Sequence, residues 1–278
     1  MMHLWMSLAM ASPAAIIALR GEVQVSAPDG SELPSALGTE LVDGSRVCTG
    51  PGSFATVRLA VSPEGGNHDD VNLMAETCLV VVRTSQDQQD RESRLTLESG
   101  SVSLRDTTTH GRGRILVETR SGRTLGSGGF RVHVEDEAQR TEALSQSLTV
   151  EGAGQSVEVP AGFGSRVRTG EAPGAPHELP PPGTPTDPLT GAELRVPDFT
   201  WTPVEQALGY KIEFSATGDF SDLVVVDYVP GSPYEPERFA LPYRVPGLHW
   251  RVTSYDRLGF EGLPSEGHEL HFPAGVGP

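Results

Sequence analysis

Between Ser12 and Gly170 apolar and polar residues alternate in short runs. In "FATVRLAV", residues 54 to 61, Phe54, Thr56, Arg58 and Ala60 stand against Ala55, Val57, Leu59 and Val61, which is the two-residue period of a strand. Similar runs ("RGEVQV", "LVDGSRVCTG", "VNLMAETCLVVV", "SRLTLESGSVSL", "RILVETRSG", "GFRVHV", "SLTVEG", "QSVEVPAG") are divided by Gly, Asp or Asn. That spacing predicts an all-β sandwich, barrel or roll. Helix signals are scarce. "EDEAQRTEALSQSL", Glu135 to Leu148, fits about three helical turns, and a bulged loop between strands fits it equally well. The heptad "GSRVCTG" (44 to 50) returns as "GSRVRTG" (164 to 170). Neither copy carries the lysine of a phosphate-binding loop, so both read as strand ends where glycine lets the backbone turn.

After Gly170 the texture changes. Residues 171–189 hold prolines at 173, 176, 180, 181, 182, 185 and 188, which block ladder hydrogen bonds and predict a semi-rigid, extended spacer. The expected organisation is a β domain over 12–170, a proline-rich linker over 171–189 and a second β-sandwich over 190–275. In the second domain Tyr210, Ile212 and Phe214 share one strand face, and Lys211, Glu213 and Ser215 the other. Leu248, Trp250 and Val252 share a face too. Trp201 and Trp250 are expected in the core; exposed, they would suggest a sugar-stacking platform.

The chain has 278 residues, enough for two ordinary domains, and its 32 glycines and 23 prolines favour strands and turns. With 37 acidic and 21 basic residues the net charge of −16 argues against nucleic acid and anionic membrane surfaces as partners. The arginines of "HGRGRILVETRSGR" (His110 to Arg123) fit a solvated hairpin end better than an anion-binding patch. At the N-terminus, Leu4 to Met10 is apolar and Ala9-Met10-Ala11 has the A-x-A form of a signal-peptidase site, although Lys and Arg are missing before it. Residues 1–11 are read as a short or truncated export signal. "AAIIAL" as a first strand is compatible with cleavage after Ala11. No run reaches the length of a membrane span.

The ordered set Ile17, Leu19, Gly21, Val23, Val25; Leu41, Gly44, Val47, Thr49, Gly50, Ser53, Ala55; Leu97, Gly100, Val102; Val117, Thr119, Gly122; Phe130, Val132; Val159, Ala161 and Gly162 resembles the FecR-type extracytoplasmic domain, over about 150 residues. The sequence departs from that pattern at "GSGGF" (Gly126 to Phe130) and at "SPEGGNHDD" (Ser62 to Asp70). Trp201 with Pro203, Gly209-Tyr210, and Trp250-Arg251-Val252 followed by Asp256, Gly259 and "GLPS" (262 to 265) resemble a fibronectin type III-like sandwich. FecR-like members that regulate sigma factors carry a cytoplasmic N-terminal region and a membrane span, which this sequence does not show. The resemblance therefore implies a scaffold or ligand-presenting role.

Candidate chemistry is thin. His68, Asp69 and Asp70 have cation-ligand character, but in a glycine-rich loop they read as a turn, and no metal site is expected. His133 lies opposite Val132 and Val134 and is expected to face solvent, as are His249, His268 and His271. No nucleophile elbow, H-E-x-x-H, C-x-x-C or cofactor motif is present, so no catalytic residue and no cofactor is expected. Cys48 and Cys78 are the only cysteines. An even count in an exported chain suggests a disulfide. If 54–61 and 71–78 form a simple hairpin, however, the two cysteines stand two strands apart, ~9.5 Å, beyond the ~7 Å reach of a bridge. A bend onto a facing sheet would bring them together, and free buried cysteines are the other reading.

The expectation is a non-catalytic, periplasmic or cell-surface protein that acts through an envelope or outer-membrane protein partner. Binding of cell-wall glycan or peptidoglycan is the alternative, and an envelope hydrolase with unrecognised carboxylates the third reading.

Overall fold

The computed structural model describes residues 14–60, 68–83, 91–106, 113–191, 198–236 and 247–271. The described residues are all-β, without a helix, as the alternation predicts. The export-signal reading of residues 1–11 lies outside them, as do most of the "SPEGGNHDD" loop and part of the arginine-rich stretch 110–123.

The first unit is a roll of two facing sheets. The chain enters on β1 (Ala14–Arg20) and passes to the other sheet at Gly21 for β2 (Val23–Ser26), β3 (Glu32–Leu33) and, after β4 (Glu40–Leu41) beside β1, β5 (Arg46–Thr49). It returns for β6 (Phe54–Ala60) and β7 (His68–Leu73), and crosses again for β8 (Cys78–Arg83). β9 (Arg91–Asp106) serves both layers. Its first half pairs with β8 and with β10 (Gly113–Glu118), and its second half with β7 and with β12 (Phe130–Val134). β11 (Arg123–Gly126), β14 (Leu148–Gly152) and β15 (Gln155–Val159) extend the sheet of β2; β13 (Ala138–Ala143), β16 (Phe163–Arg168) and β17 (His177–Glu178) extend the sheet of β1.

The bend of β9 lies at Gly100, where φ is +79°. A side chain there would meet Thr77 Oγ1 at 2.3 Å and Thr77 Cα at 2.6 Å, so only glycine fits. Inward positions of the alternating runs, among them Val47, Val57, Leu79, Leu97, Val102, Val132 and Val150, make one continuous buried core between the layers.

Residues 135–148, open between helix and bulged loop in sequence, are instead the β12–β13 hairpin and the crossing to β14. Arg140, Glu142 and Thr141 take their places by two-residue alternation, not helical spacing.

The second unit begins with β18 (Thr184–Asp187) and β19 (Thr200–Thr202), which pair with each other. They face a sheet ordered β21 (Leu223–Val229), β20 (Gly209–Ser215), β22 (Leu248–Tyr255), β23 (His268–Leu270). Phe199 sits edge-on to both Phe214 and Trp250, 4.9 Å between centroids in each case. Trp201 and Trp250 are buried in this core, and the Trp250 indole donates to the Pro188 carbonyl at 2.9 Å.

The proline-rich stretch between the units is seated along its length. Gly174 N donates to Arg166 O, β17 pairs with β16, Leu179 N donates to Gly162 O, and the Ser254 hydroxyl reaches the Pro181 carbonyl. It acts as a strap stitched to the first unit up to Leu179 and to the second from Pro181.

Candidate functional site

The outer face of the β1 sheet is the floor of the site. On β12 the core takes Phe130, Val132 and Val134, so Arg131 and His133 point outward; on β13 Arg140 and Glu142 do the same. On β20 the apolar Tyr210, Ile212 and Phe214 face their own core, which turns Lys211, Glu213 and Ser215 the other way. These two polar faces meet. Arg131, His133, Glu142, Lys211, Glu213 and Glu261 are all buried in the seam.

The seam is a network of charges. Glu261, from the turn after β22, receives the Arg131 guanidinium, the Lys211 ammonium and, at 2.8 Å, the Tyr228 hydroxyl. Glu142 accepts from Arg140 Nε at 2.9 Å and lies 2.9 Å from His133 Nε2. Glu213 accepts from Arg251 Nε at 2.8 Å and lies 3.8 Å from Lys211 Nζ. Glu135 engages Arg140 and Arg166.

Burial opposes ionisation of these carboxyls, but adjacent cations prevail. His133, Arg131 and Arg140 hold Glu142 down at about 2, and Arg251 and Lys211 hold Glu213 at about 2. Lys211 and Arg131 hold Glu261 well below the usual carboxylate range against the same desolvation. Breaking one partner of such a pair typically costs about 3–5 kcal/mol, because the other charge stays buried.

The contact continues across the sheet. Arg20 donates to both carboxylate oxygens of Asp222 at 3.1 Å, Thr56 Oγ1 to Ser221 O at 2.6 Å, and Asn72 Nδ2 to Phe220 O at 2.8 Å. Phe54, Phe220 and Leu223 form a small apolar cluster there, and Arg251 lies over the Phe220 ring at 4.0 Å. At the far side Phe260 stacks on His177, 5.1 Å between centroids, and sits on Gly164, where a Cβ would come within 2.6 Å of its ring. The two copies of the heptad thus differ in use. The first is β5 and its corner; the second is β16, whose glycine makes room for the second unit.

His133 corrects the expectation of a solvent-facing imidazole: it points away from the core, and the second unit covers it. His249 and His268 are half-buried and His271 is exposed. Asp70 on β7 is held in an ion-pair cluster by Arg58 (2.8 Å) and Arg105 (2.8 Å), and His68 Nε2 lies 3.8 Å from it, with burial lowering the His68 pKa.

Cys48 and Cys78 face each other directly in the β5–β8 pair, with Cα atoms 4.2 Å apart and their sulfurs bonded. The simple-hairpin geometry that separated them is overturned. The run 71–78 is not one strand: β7 ends at Leu73, the chain turns through Glu76 at φ 56°, and β8 begins at Cys78 in the facing sheet.

Sequence reasoning missed Arg131, Glu142, Lys211, Glu213 and Glu261. Charges of both signs at the polar positions of strands in both units were the available signal.

No family model matches the chain, and no curated protein is similar to it. Among solved structures it is similar to two crystal structures, at 2.50 and 1.65 Å, of a candidate anti-sigma factor from Parabacteroides distasonis, with identities of 15% and 16% and TM-scores of 0.37 and 0.36. Each match covers 48% of this chain and 59% of that one, so the chain spans about three fifths of the length of these structures.

Proposed function

We propose that the chain is a non-catalytic, exported envelope protein in which a FecR-like roll and a fibronectin type III-like sandwich form a scaffold for protein contacts in envelope signalling or assembly. The observation that carries this reading is where the resembling residues fall. Gly21, Gly50, Gly100 and Gly162 stand at or beside passages between the layers, and Val23, Val25, Leu41, Val47, Leu97, Val102, Val117, Phe130, Val132 and Val159 are core. The shared pattern therefore specifies a framework rather than a reaction. In the second unit the order β21-β20-β22-β23, faced by β18 and β19, resembles the larger sheet of a fibronectin type III sandwich. Buried carboxylates and cations are engaged with one another across the seam. The Cys48–Cys78 bond suits an oxidising compartment and supports the exported reading.

Cross-linking and pull-down of the full chain from native envelopes tests the proposal, with a cell-wall glycan pull-down and a broad hydrolase screen beside it. Capture of a defined envelope protein is expected. Glycan capture without a protein partner, or turnover in the screen, would replace the scaffold reading. Fractionation with N-terminal sequencing tests export: a mature terminus at or near Ser12 is expected, and intact Met1 on cytoplasmic material would count against it.

A further inference from the structure

The Cys48–Cys78 bond lies on the sheet face that the core does not use. Val47 and Leu79, the chain neighbours of the two cysteines in β5 and β8, point inward and are fully buried, so alternation turns both cysteines outward. The second unit covers the other sheet, through Arg131, Thr56 and Asn72. In the row of the bridge stand Gln24 on β2 and Ser99 on β9, both exposed, and the exposed Arg46 and Glu98 pair beside it at 2.7 Å. The side chains flanking the sulfurs are thus short or flexible. Both cysteines are only half-buried, although β5 and β8 each have a paired strand on either side to cover the backbone.

The bond is not what holds these strands together. Thr49 N donates to Thr77 O at 2.8 Å, which makes Cys48 and Cys78 the non-hydrogen-bonded pair next to it. The ladder alone sets such pairs about 4.5 Å apart at Cα, close to the 4.2 Å seen. Cutting the bond leaves the ladder, the core and the flanking strands in place. What changes is the unfolded chain, which is freed from a cross-link over a 30-residue separation. A bridge that is reachable in the folded state and dispensable for it has the character of an exchangeable disulfide. We propose that Cys48–Cys78 is a thiol–disulfide exchange site for a protein dithiol, and that its state sets the stability of the first unit. A partner thiolate attacks one Sγ, the Sγ–Sγ bond breaks, and the other cysteine leaves as a thiolate that takes a proton from water. The partner's second thiolate then displaces the tethered cysteine and closes its own disulfide, so two electrons pass from the dithiol to the cysteine pair. This does not depend on the scaffold reading.

The test treats the oxidised full chain in native buffer with an excess of a reduced C-x-x-C dithiol protein, and with dithiothreitol in a parallel arm, counting thiols by alkylation and mass. Both reagents should release the two thiols, at rates that stay flat across urea concentrations below the unfolding transition. Far-UV and near-UV circular dichroism should be unchanged on reduction, and the urea midpoint should fall to that of the Cys48→Ala, Cys78→Ala double variant. No reduction by the dithiol protein in native buffer, rates that keep step with the unfolded fraction as urea rises, or loss of the near-UV signal on reduction would each overturn the proposal.

Discussion

A charged side chain on the polar face of a strand normally reads as solvated, and for Arg131, Lys211 and Glu213 that inference fails because another strand's polar face covers them. Alternation assigned the correct side of the strand: His133 does point away from Val132 and Val134. What lies on that side depends on a second unit that begins only at Thr184, 51 residues after His133 (184 − 133), which periodicity does not report. The pH dependence follows from the same residues. Glu142 and Glu213 have folded-state values lowered from 4.5 to about 2, so their contribution is complete above the unfolded value and disappears as pH falls from about 4.5 to 2. A shift of that size corresponds to roughly 3 kcal/mol for each. Urea unfolding measured from pH 7 down to 2 should lose stability mainly in that window, and Glu213→Gln should flatten the fall while lowering the plateau at neutral pH. An acid profile identical in wild type and Glu213→Gln would remove Glu213 from the account.

Among elements, the strand content was legible and the layer assignment was not. The run "VNLMAETCLVVV" reads as one apolar segment, yet it supplies β7 to one sheet and β8 to the other. A glycine signals such a passage at Gly100, whereas at Glu76 nothing in the residue type does. Gly100→Ala should therefore cost several kcal/mol, since it combines an unfavourable φ with contacts on Thr77 that cannot relax independently. Gly30→Ala is the control: φ is +82° but the space is open, and a loss of only about 1 kcal/mol is expected. Equal midpoint shifts in denaturant would show that packing at the bend is unimportant. The disulfide belongs to the same scale, because it crosses the β5–β8 ladder that the passage through Glu76 creates. Closing a 30-residue separation should contribute roughly 3 to 4 kcal/mol. Thiol counting in denaturant without reductant should find none free in material from an oxidising compartment, and the Cys48→Ala, Cys78→Ala double variant should unfold at correspondingly lower urea. Two free thiols would contradict the pairing.

For the molecule as a whole, the prolines of 171–189 predict a semi-rigid, extended spacer, and in the structure this stretch is a strap with bonds to both sides. Cleavage engineered between Pro181 and Gly183 should leave the fragments associated on gel filtration at pH 7, because Arg131–Glu261, Arg20–Asp222 and Phe260 on Gly164 are untouched. At pH 2, where the contribution of Glu142 and Glu213 to the seam has been lost, the fragments should separate. Fragments that part at neutral pH would mean that the strap, rather than the seam, holds the units together.

The polarity of the seam also bears on biogenesis. A contact surface made mainly of oily side chains must be hidden as soon as it forms, or it captures neighbouring chains. Here the first roll can finish folding while the rest of the polypeptide is still being made, because the face left waiting carries arginine, histidine and glutamate that water solvates well. Docking of the second unit becomes a late step that exchanges one hydrated state for another, open to rejection of a wrongly folded partner before it closes.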